Sequence, residues 1–310
     1  MSAATAAAGV PARRKRIRWR RIALHAFLVA TALVWLFPLA WAVYTSLRPY
    51  ADTAVNGYVS FTGVLNLDNY VKAWNNAELI RYFANSLVIV VPAVTLTLLL
   101  ASMAAFTLAR FSWRFNLAFL MLFTAGNLLP QQVIITPLFR MYLALPFPKE
   151  IFCPIPKSML CLTDNGLLYD QYIGIILIHV AFQLGFCTFV LANYMKTLPK
   201  ELTEAAVVDG AHTFQIYWKV IMPLVRPPLA ALTVLLVTWI YNDFFWALLL
   251  MRTGSKLPIT SALNNLKGQF FTDNNLIAAG AVLVAIPTLV VFFAAQKQFI
   301  SGLTSGALKG

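Results

Sequence analysis

Six stretches of this 310-residue chain run for twenty residues or more with almost no charge: residues 22–46, 84–108, 117–139, 172–195, 228–251 and 276–295. A helix rises 1.5 Å per residue, so about 20 apolar residues cover a hydrocarbon core of roughly 30 Å. Barrel strands would instead alternate in segments of about ten residues, and these runs are continuous. The pattern predicts an all-α membrane protein with six transmembrane helices. Composition points the same way, with 60% hydrophobic and 11% charged residues and a mean hydropathy of +0.73. Soluble domains carry about 25% charged residues. A soluble enzyme, a disordered chain and a disulfide-stapled secreted module are thereby excluded.

Charge sets the expected orientation. With the N-terminus placed in the cytoplasm, fifteen of the 24 Lys and Arg residues fall in cytoplasmic segments, seven of them between Arg13 and Arg21. Only three of the 11 acids, Glu201, Glu204 and Asp209, fall there. This is the positive-inside distribution. It accounts for the net charge of +13 without nucleic acid. Both termini are then cytoplasmic. The first run has a basic flank and an Ala40-Trp41-Ala42 string like a signal-peptidase site. It is too long for a signal core of 7–15 residues, so it is read as an uncleaved span. The expected layout is a basic tail over 1–21, its first 12 residues disordered, then a first span over 22–46 and an external loop over 47–83. A core follows over 84–310.

Three external loops are expected, over 47–83, 140–171 and 252–275. The first and third carry aromatic residues suited to an external partner. The second holds Pro146, Pro148, Pro154 and Pro156 with Cys153 and Cys161. An oxidising exterior permits a disulfide between them, and two free thiols remain the alternative. Cys187 lies inside a span and reads as a small hydrophobe. His25 and His179, also in spans, read as packing residues. No Cys/His spacing matches a metal site.

The segment 196–227 is the one substantial cytoplasmic element. Pro199 and Glu201 suit the first turn of a helix. That helix runs through Leu202, Glu204, Ala205, Ala206 and Val208 to Asp209, and Gly210 ends it. Phe214, Tyr217, Trp218 and Ile221 then share one face of a second helix at i, i+3, i+4, i+7, which Pro223 closes. A pair of surface helices lying on lipid would set Glu204 and Asp209 against anionic headgroups. A docking element for a soluble partner fits better.

This segment resembles the EAA loop of ABC importer permeases. Glu204-Ala205-Ala206 is followed after three residues by Gly210, and Val220-Ile221-Met222-Pro223 stands where the pattern has I-x-L-P. Met222 replaces the usual Leu. Further strings resemble the carbohydrate-uptake branch, of the maltose-permease G type. They are Asn85-Ser86, Tyr241-Asn242-Asp243-Phe244 with Trp246, Gly268-Gln269, Thr272-Asp273 and the C-terminal stretch from Gly302 to Gly310. The resemblance covers about residues 20–310. The Cys153–Cys161 region departs from it as an insertion of some 20 residues. The resemblance implies the type I importer fold, with a MetI-like core. It also implies a homologous second permease, two ATP-binding subunits and an extracytoplasmic solute-binding protein, with a sugar or oligosaccharide as cargo. Glu204, Ala205, Ala206, Asp209, Gly210 and Pro223 would then form the coupling element that seats on the ATPase. The chain lacks G-x4-GK-[ST]. ATP and Mg would be bound by the partner subunits, so the chain itself is expected to hold no cofactor.

The expected cargo path uses polar and aromatic residues in or near the spans: Asn127, Gln131, Gln132, Gln183, Tyr241, Asn242, Asp243 and Trp246. Amides, carboxylates and aromatic faces recognise sugars. A carboxylate within the bilayer is costly and should face a cavity or a partner. Helix-to-helix bonding by Asn242 and Asp243 is the competing reading. No nucleophile–base constellation is present, so no covalent chemistry is expected. A glycerol-phosphate-like or other polyol cargo, a purely structural subunit and an ion-coupled secondary transporter are the rival readings.

Overall fold

In the computed structural model, the described residues are 19–61, 64–112, 114–128, 130–153, 161–267 and 272–304. The basic tail through Arg18, Pro154, Pro156, Gly268, Gln269 and residues 305–310 lie outside them, as do the side chains of Asn127 and of residues 297–304. The described residues are overwhelmingly helical. Extended pairing among them is limited to one bridge between Pro146 and Leu167.

Among the described residues, four helices are each long and apolar enough to cross a membrane: α1 (Trp19–Leu47), α4 (Leu79–Arg110), α8 (Tyr172–Lys196) and α15 (Asn274–Thr304). Each contains one expected apolar run and extends it at one or both ends. α4 begins at Leu79, before the run over 84–108, and α15 continues past 295. The remaining two runs are interrupted. The run over 117–139 folds as α5 (Asn116–Leu128), a 3-10 turn (Gln131–Ile134) and α6 (Ile135–Ala144), with an angle of 90° across the break. Pro130 precedes the 3-10 turn as its N-cap and has no N–H with which to continue the ladder of α5. The run over 228–251 folds as α12 (Arg226–Tyr241) and α13 (Phe245–Leu250), separated by Asn242, Asp243 and Phe244. These breaks divide the spans expected over 117–139 and 228–251, each of which reads in sequence as one continuous helix.

α4 and α8 form the centre of the bundle, α12 packs against α15, and α5 lies on α8. Small residues let the central pair approach: Ala93, Ala101 and Ala105 on α4 and Gly185 on α8 are buried, as expected where lipid provides no hydrophobic drive between helices. Gly174, at the start of α8, allows a different close approach, to the chain just before that helix. A Cβ there would stand 2.1 Å from the carbonyl oxygen of Leu168. Most of α1 is exposed, and only its last turns are buried, against α15 and α3 (Asp68–Asn76).

The end of the bundle opposite the 196–227 loop carries ordered polar structure. After α1, Arg48 is fully buried. It binds the Asp52 carboxylate of α2 (Tyr50–Asn56) through Nε at 2.9 Å and donates to the carbonyls of Gly57, Tyr58 and Ser60. Asn275 donates to Thr45 O and accepts from Thr53, tying α15 to α1 and α2. Cys153, just after α7 (Lys149–Phe152), is disulfide-bonded to Cys161. The chain after Cys161 is held against the segment following α13. Lys256 Nζ binds Asp164 at 2.8 Å, and the Asp170 carboxylate accepts from the amides of Arg252 and Thr253. Burial alone would raise the Asp164 pKa. Hydrogen bonds from Lys256 and Gln171 and the Lys256 charge outweigh it and hold the carboxyl below its ordinary value.

Candidate functional site

The loop between α8 and α12 is built from local rules. Pro199 leads into α9 (Glu201–Val208), with Glu201 and Glu204 in its first turn, where the helix dipole favours acids. Its end is a Schellman closure. Gly210 N–H donates to Val207 O at 3.0 Å and Ala211 N–H to Ala206 O at 2.9 Å, with Gly210 at φ 80°. His212 then caps α10 (Thr213–Gln215). Its Nδ1 accepts from Gln215 N–H, and Gln215 Oε1 accepts from the His212 N–H. A histidine in the capping position is uncommon, so this cap had no sequence signal.

The chain continues as a π-helix over Ile216–Ile221 and one turn, α11 (Met222–Leu224), before Pro227 and Pro228 open α12. The π-helix corrects the expected single apolar face. Tyr217 and Ile221 point inward with Ile216, whereas Phe214 and Trp218 are 63% and 55% exposed. The i→i+5 bonding aligns Ile216 with Ile221 and carries Trp218 and Phe214 off that face. The outer surface of the loop thus presents Glu204, Ala205, Val207, Val208, Asp209, Gly210, Phe214, Trp218 and Pro223, with Val208 87% exposed and Ala206 half-buried beneath them. The inner surface is fixed to α4. Arg110 Nη1 donates to the carbonyls of Leu198 and Pro199, and Tyr217 OH lies 2.8 Å from Ser102 Oγ.

The second polar region lies at the break between α12 and α13. The Asp243 carboxylate accepts from the N–H groups of Trp246 and Ala247 at 3.4 and 3.3 Å, capping α13, and the Asp243 carbonyl accepts from Thr260 Oγ1 at 2.6 Å. His179 of α8 is buried with Nε2 3.7 Å from Asp243 Oδ2. Tyr241 is buried and donates to Val284 O of α15 at 3.1 Å, and Trp246 is buried against Phe182. Asn242 is exposed, its amide bonded to Thr238 O one turn back.

Gln183 stands apart from that cluster. With Thr124, Phe186, Phe189 and Trp239 it lines a cavity of about 180 Å³ between α5, α8 and α12. Gln131 and Gln132 lie in the 3-10 turn after α5. Of the expected path residues, the structure therefore brings Tyr241, Asp243 and Trp246 together, sets Asn242 facing outward beside them, and places Gln183 in a separate cavity. His179 was read only as packing. Its approach to Asp243, at the break between α12 and α13, had no local signal in the sequence. Asn85 carries more than its string indicated. It donates to the carbonyls of Ser255 and Leu257, both at 2.9 Å, and accepts from Tyr172 OH at 2.7 Å, while Ser86 Oγ accepts from Ile259 N–H. Among the described residues no group of three His, Cys, Asp or Glu side chains could hold a metal ion.

Comparison with known proteins bears on this arrangement. Residues 80–304 match the family model described as "Binding-protein-dependent transport system inner membrane component". The chain is 31% identical over 276 residues to a probable ABC transporter permease of Pyrococcus horikoshii, covering 87% of this chain and 91% of that one. It is 29% identical over 292 residues to the melibiose/raffinose/stachyose import permease of Bacillus subtilis, covering 94% and 97%. Among solved structures, a bacterial ABC transporter involved in import of the acidic polysaccharide alginate aligns with a TM-score of 0.73 at 22% identity. That alignment covers 94% of this chain and all of the other, a likeness of fold.

Proposed function

The chain belongs to the family of binding-protein-dependent transport system inner membrane components, and from that premise we propose that it is the permease subunit of an ATP-driven importer of a sugar or oligosaccharide. It crosses the cell membrane six times with both termini in the cytoplasm, the third and fifth crossings being the two interrupted runs. The observation that carries the reading is the loop after α8. It is a short helix with an exposed acidic and apolar outer surface, closed by a left-handed glycine and fixed on its inner surface to the bundle. A free surface helix does not need such anchorage, whereas an element that transmits force does.

On this reading Glu204, Ala205, Ala206, Asp209, Gly210 and Pro223 belong to the element that seats on an ATP-binding subunit, which supplies ATP, Mg and hydrolysis. Small side chains at Ala205 and Ala206 permit close approach, and Glu204 offers a carboxylate to a basic partner group. Closure of two ATP-binding subunits would turn the cavity outward, and hydrolysis would reset it. A homologous permease completes the pathway, and a solute-binding protein docks on the face carrying Arg48, Asp170 and the disulfide. The cargo class rests on the substrates in the name of the Bacillus subtilis relative.

The test is co-purification of the tagged chain from its own membranes with an ATPase assay, alongside Glu204→Lys. Recovery of an ATP-binding subunit that the variant loses supports the reading. Normal coupled ATPase in Glu204→Lys overturns it. The recovered binding protein is then screened by thermal shift against melibiose, raffinose and glycerol 3-phosphate to separate sugar from polyol-phosphate cargo.

A further inference from the structure

The helices on either side of the coupling loop, α8 and α12, are covalently continuous with it and follow any displacement of it. α4 is not. It follows through non-covalent contact: its packing on α8 and α12 along the bundle, and two direct ties to the loop itself. Arg110, the last residue of α4, holds the carbonyls of Leu198 and Pro199 at 3.2 and 3.4 Å, at the hinge where the loop begins. Two turns back along α4, Ser102 Oγ meets Tyr217 OH at 2.8 Å, deep in the second half of the loop.

The second tie is the directional one. Ser102 and Tyr217 are 0% and 3% exposed. The single Ser102 proton is used on Leu99 O, at 2.9 Å, so Tyr217 is the donor and Ser102 the acceptor. The Tyr217 ring also lies 5.4 Å from the Phe106 ring of α4, one turn from Ser102. Tyr217 sits in the π-helical segment, whose wider turn sends it inward while Trp218 stays on the outer surface. Neighbouring residues thus face the proposed partner and α4.

The far end of α4 is equally committed. Its 32 residues span about 48 Å at 1.5 Å each. At that end Asn85 grips the carbonyls of Ser255 and Leu257 and the hydroxyl of Tyr172, and Ser86 holds the Ile259 amide. One helix therefore joins the inner surface of the loop to the opposite face of the protein.

We propose that Tyr217 and Ser102 are positioning residues that deliver displacement of the coupling loop to α4, and through it to the 255–259 segment on the opposite face. The proposal rests on the coupling reading above. Without the hydrogen bond, the loop still seats on the ATP-binding subunit, but α4 no longer follows it fully.

The experiment uses the full complex in lipid nanodiscs, with spin labels at Val59→Cys and Ile80→Cys, both exposed positions on the far face. Distances are measured by pulsed electron paramagnetic resonance, without nucleotide and after trapping with MgATP and vanadate. In the otherwise native pair, trapping shifts the distance distribution. Tyr217→Phe and Ser102→Ala each lower the ratio of shifted to unshifted population about five-fold, the factor for a net hydrogen bond worth about 1 kcal/mol. The double variant is no worse than either single one, and Ser102→Thr, which keeps the hydroxyl, restores the shift. A lower melting temperature with the shift intact in both single variants overturns the proposal and assigns the pair to packing alone. An active ATPase with no shift in the native pair overturns the proposal and leaves the coupling reading standing. Failure of any ATP-binding subunit to co-purify overturns both.

Discussion

Gly210→Ala isolates the backbone requirement of the loop. Gly210 has φ 80°, and nothing lies within 4 Å of where a Cβ would stand. Crowding therefore contributes nothing, and the cost is torsional: about 1–2 kcal/mol for an L-residue in the left-handed region. Asparagine visits that region more readily than alanine, so Gly210→Asn should cost less. The Schellman bonds from the amides of Gly210 and Ala211 cross this residue. Because α9 is exposed, they open locally without unfolding the bundle. In Gly210→Ala they should exchange with deuterium about 5–30-fold faster, the factor that 1–2 kcal/mol represents. Hydrogen exchange with mass spectrometry in nanodiscs, on peptides covering 201–212, measures this, and peptides from α4 and α8 serve as the unchanged reference. Equal exchange in Gly210→Ala and the native protein, or in the Ala and Asn variants, refutes the torsional argument.

Gly174→Ala carries the opposite cause, since its Cβ would meet backbone at 2.1 Å; a lowered melting temperature in detergent, corresponding to about 1–3 kcal/mol of overpacking, checks it. The Asp164–Lys256 link stabilises the 161–171 segment above the unfolded carboxyl pKa, because the folded pKa is depressed. That stability is lost as pH falls through the folded value. Protection of the segment, corrected for intrinsic exchange, should fall below about pH 4, and Asp164→Asn should abolish this dependence. Cys153 and Cys161 should resist maleimide until a reductant is added, with buried Cys187 unlabelled in the folded protein under either condition. Asp243→Ala should lower the melting temperature by removing the cap on the Trp246 and Ala247 amides, about 0.5–2 kcal/mol, whereas Asp243→Asn, which keeps an acceptor oxygen, should retain most of it.

What could be read from sequence followed the strength of the local rule. Four apolar runs became single helices even though three of them carry an internal proline, Pro38, Pro92 and Pro287, because a bilayer-length segment must satisfy its own backbone and a lone proline is tolerated where neighbouring groups take up the freed carbonyl. The end of α9 was legible because only glycine suits φ 80° at modest cost. The bend after α5 also had a local sign, Pro130, but hydropathy averages over one proline, and the run was read straight through. The break at Asn242–Phe244 has no proline or glycine. It depends on Asp243 and on Thr260, seventeen residues away, and no window of sequence contains that pairing. The face of Tyr217 was misjudged for a different reason. The period of 3.6 was assumed, and a π-helix is chosen by what its side chains meet, here Ser102 and Phe106 on another helix.

The break in the fifth run bears on how labour is divided along the proposed path. A straight helix presents only side chains to whatever passes it, whereas a break frees backbone groups that must find partners within the bilayer. Here they find them inside the chain. The Asp243 carboxylate is spent on two amides, its carbonyl on Thr260, and Tyr241 on α15. The Asp243 side chain is only 13% exposed, and its nearest titratable neighbour is the buried His179. Asn242 is exposed beside the break, and Gln183 shares its cavity with the aromatic faces of Phe186, Phe189 and Trp239. The Asn242 NH2 is bonded to Thr238 O, but its Oδ1 faces outward, and an amide beside aromatic rings, as at Gln183, is the chemistry that suits a carbohydrate. On the proposed reading, Asp243 therefore fixes the chain at the break, and Asn242, through its Oδ1, and the Gln183 cavity are the groups to test for contact with cargo.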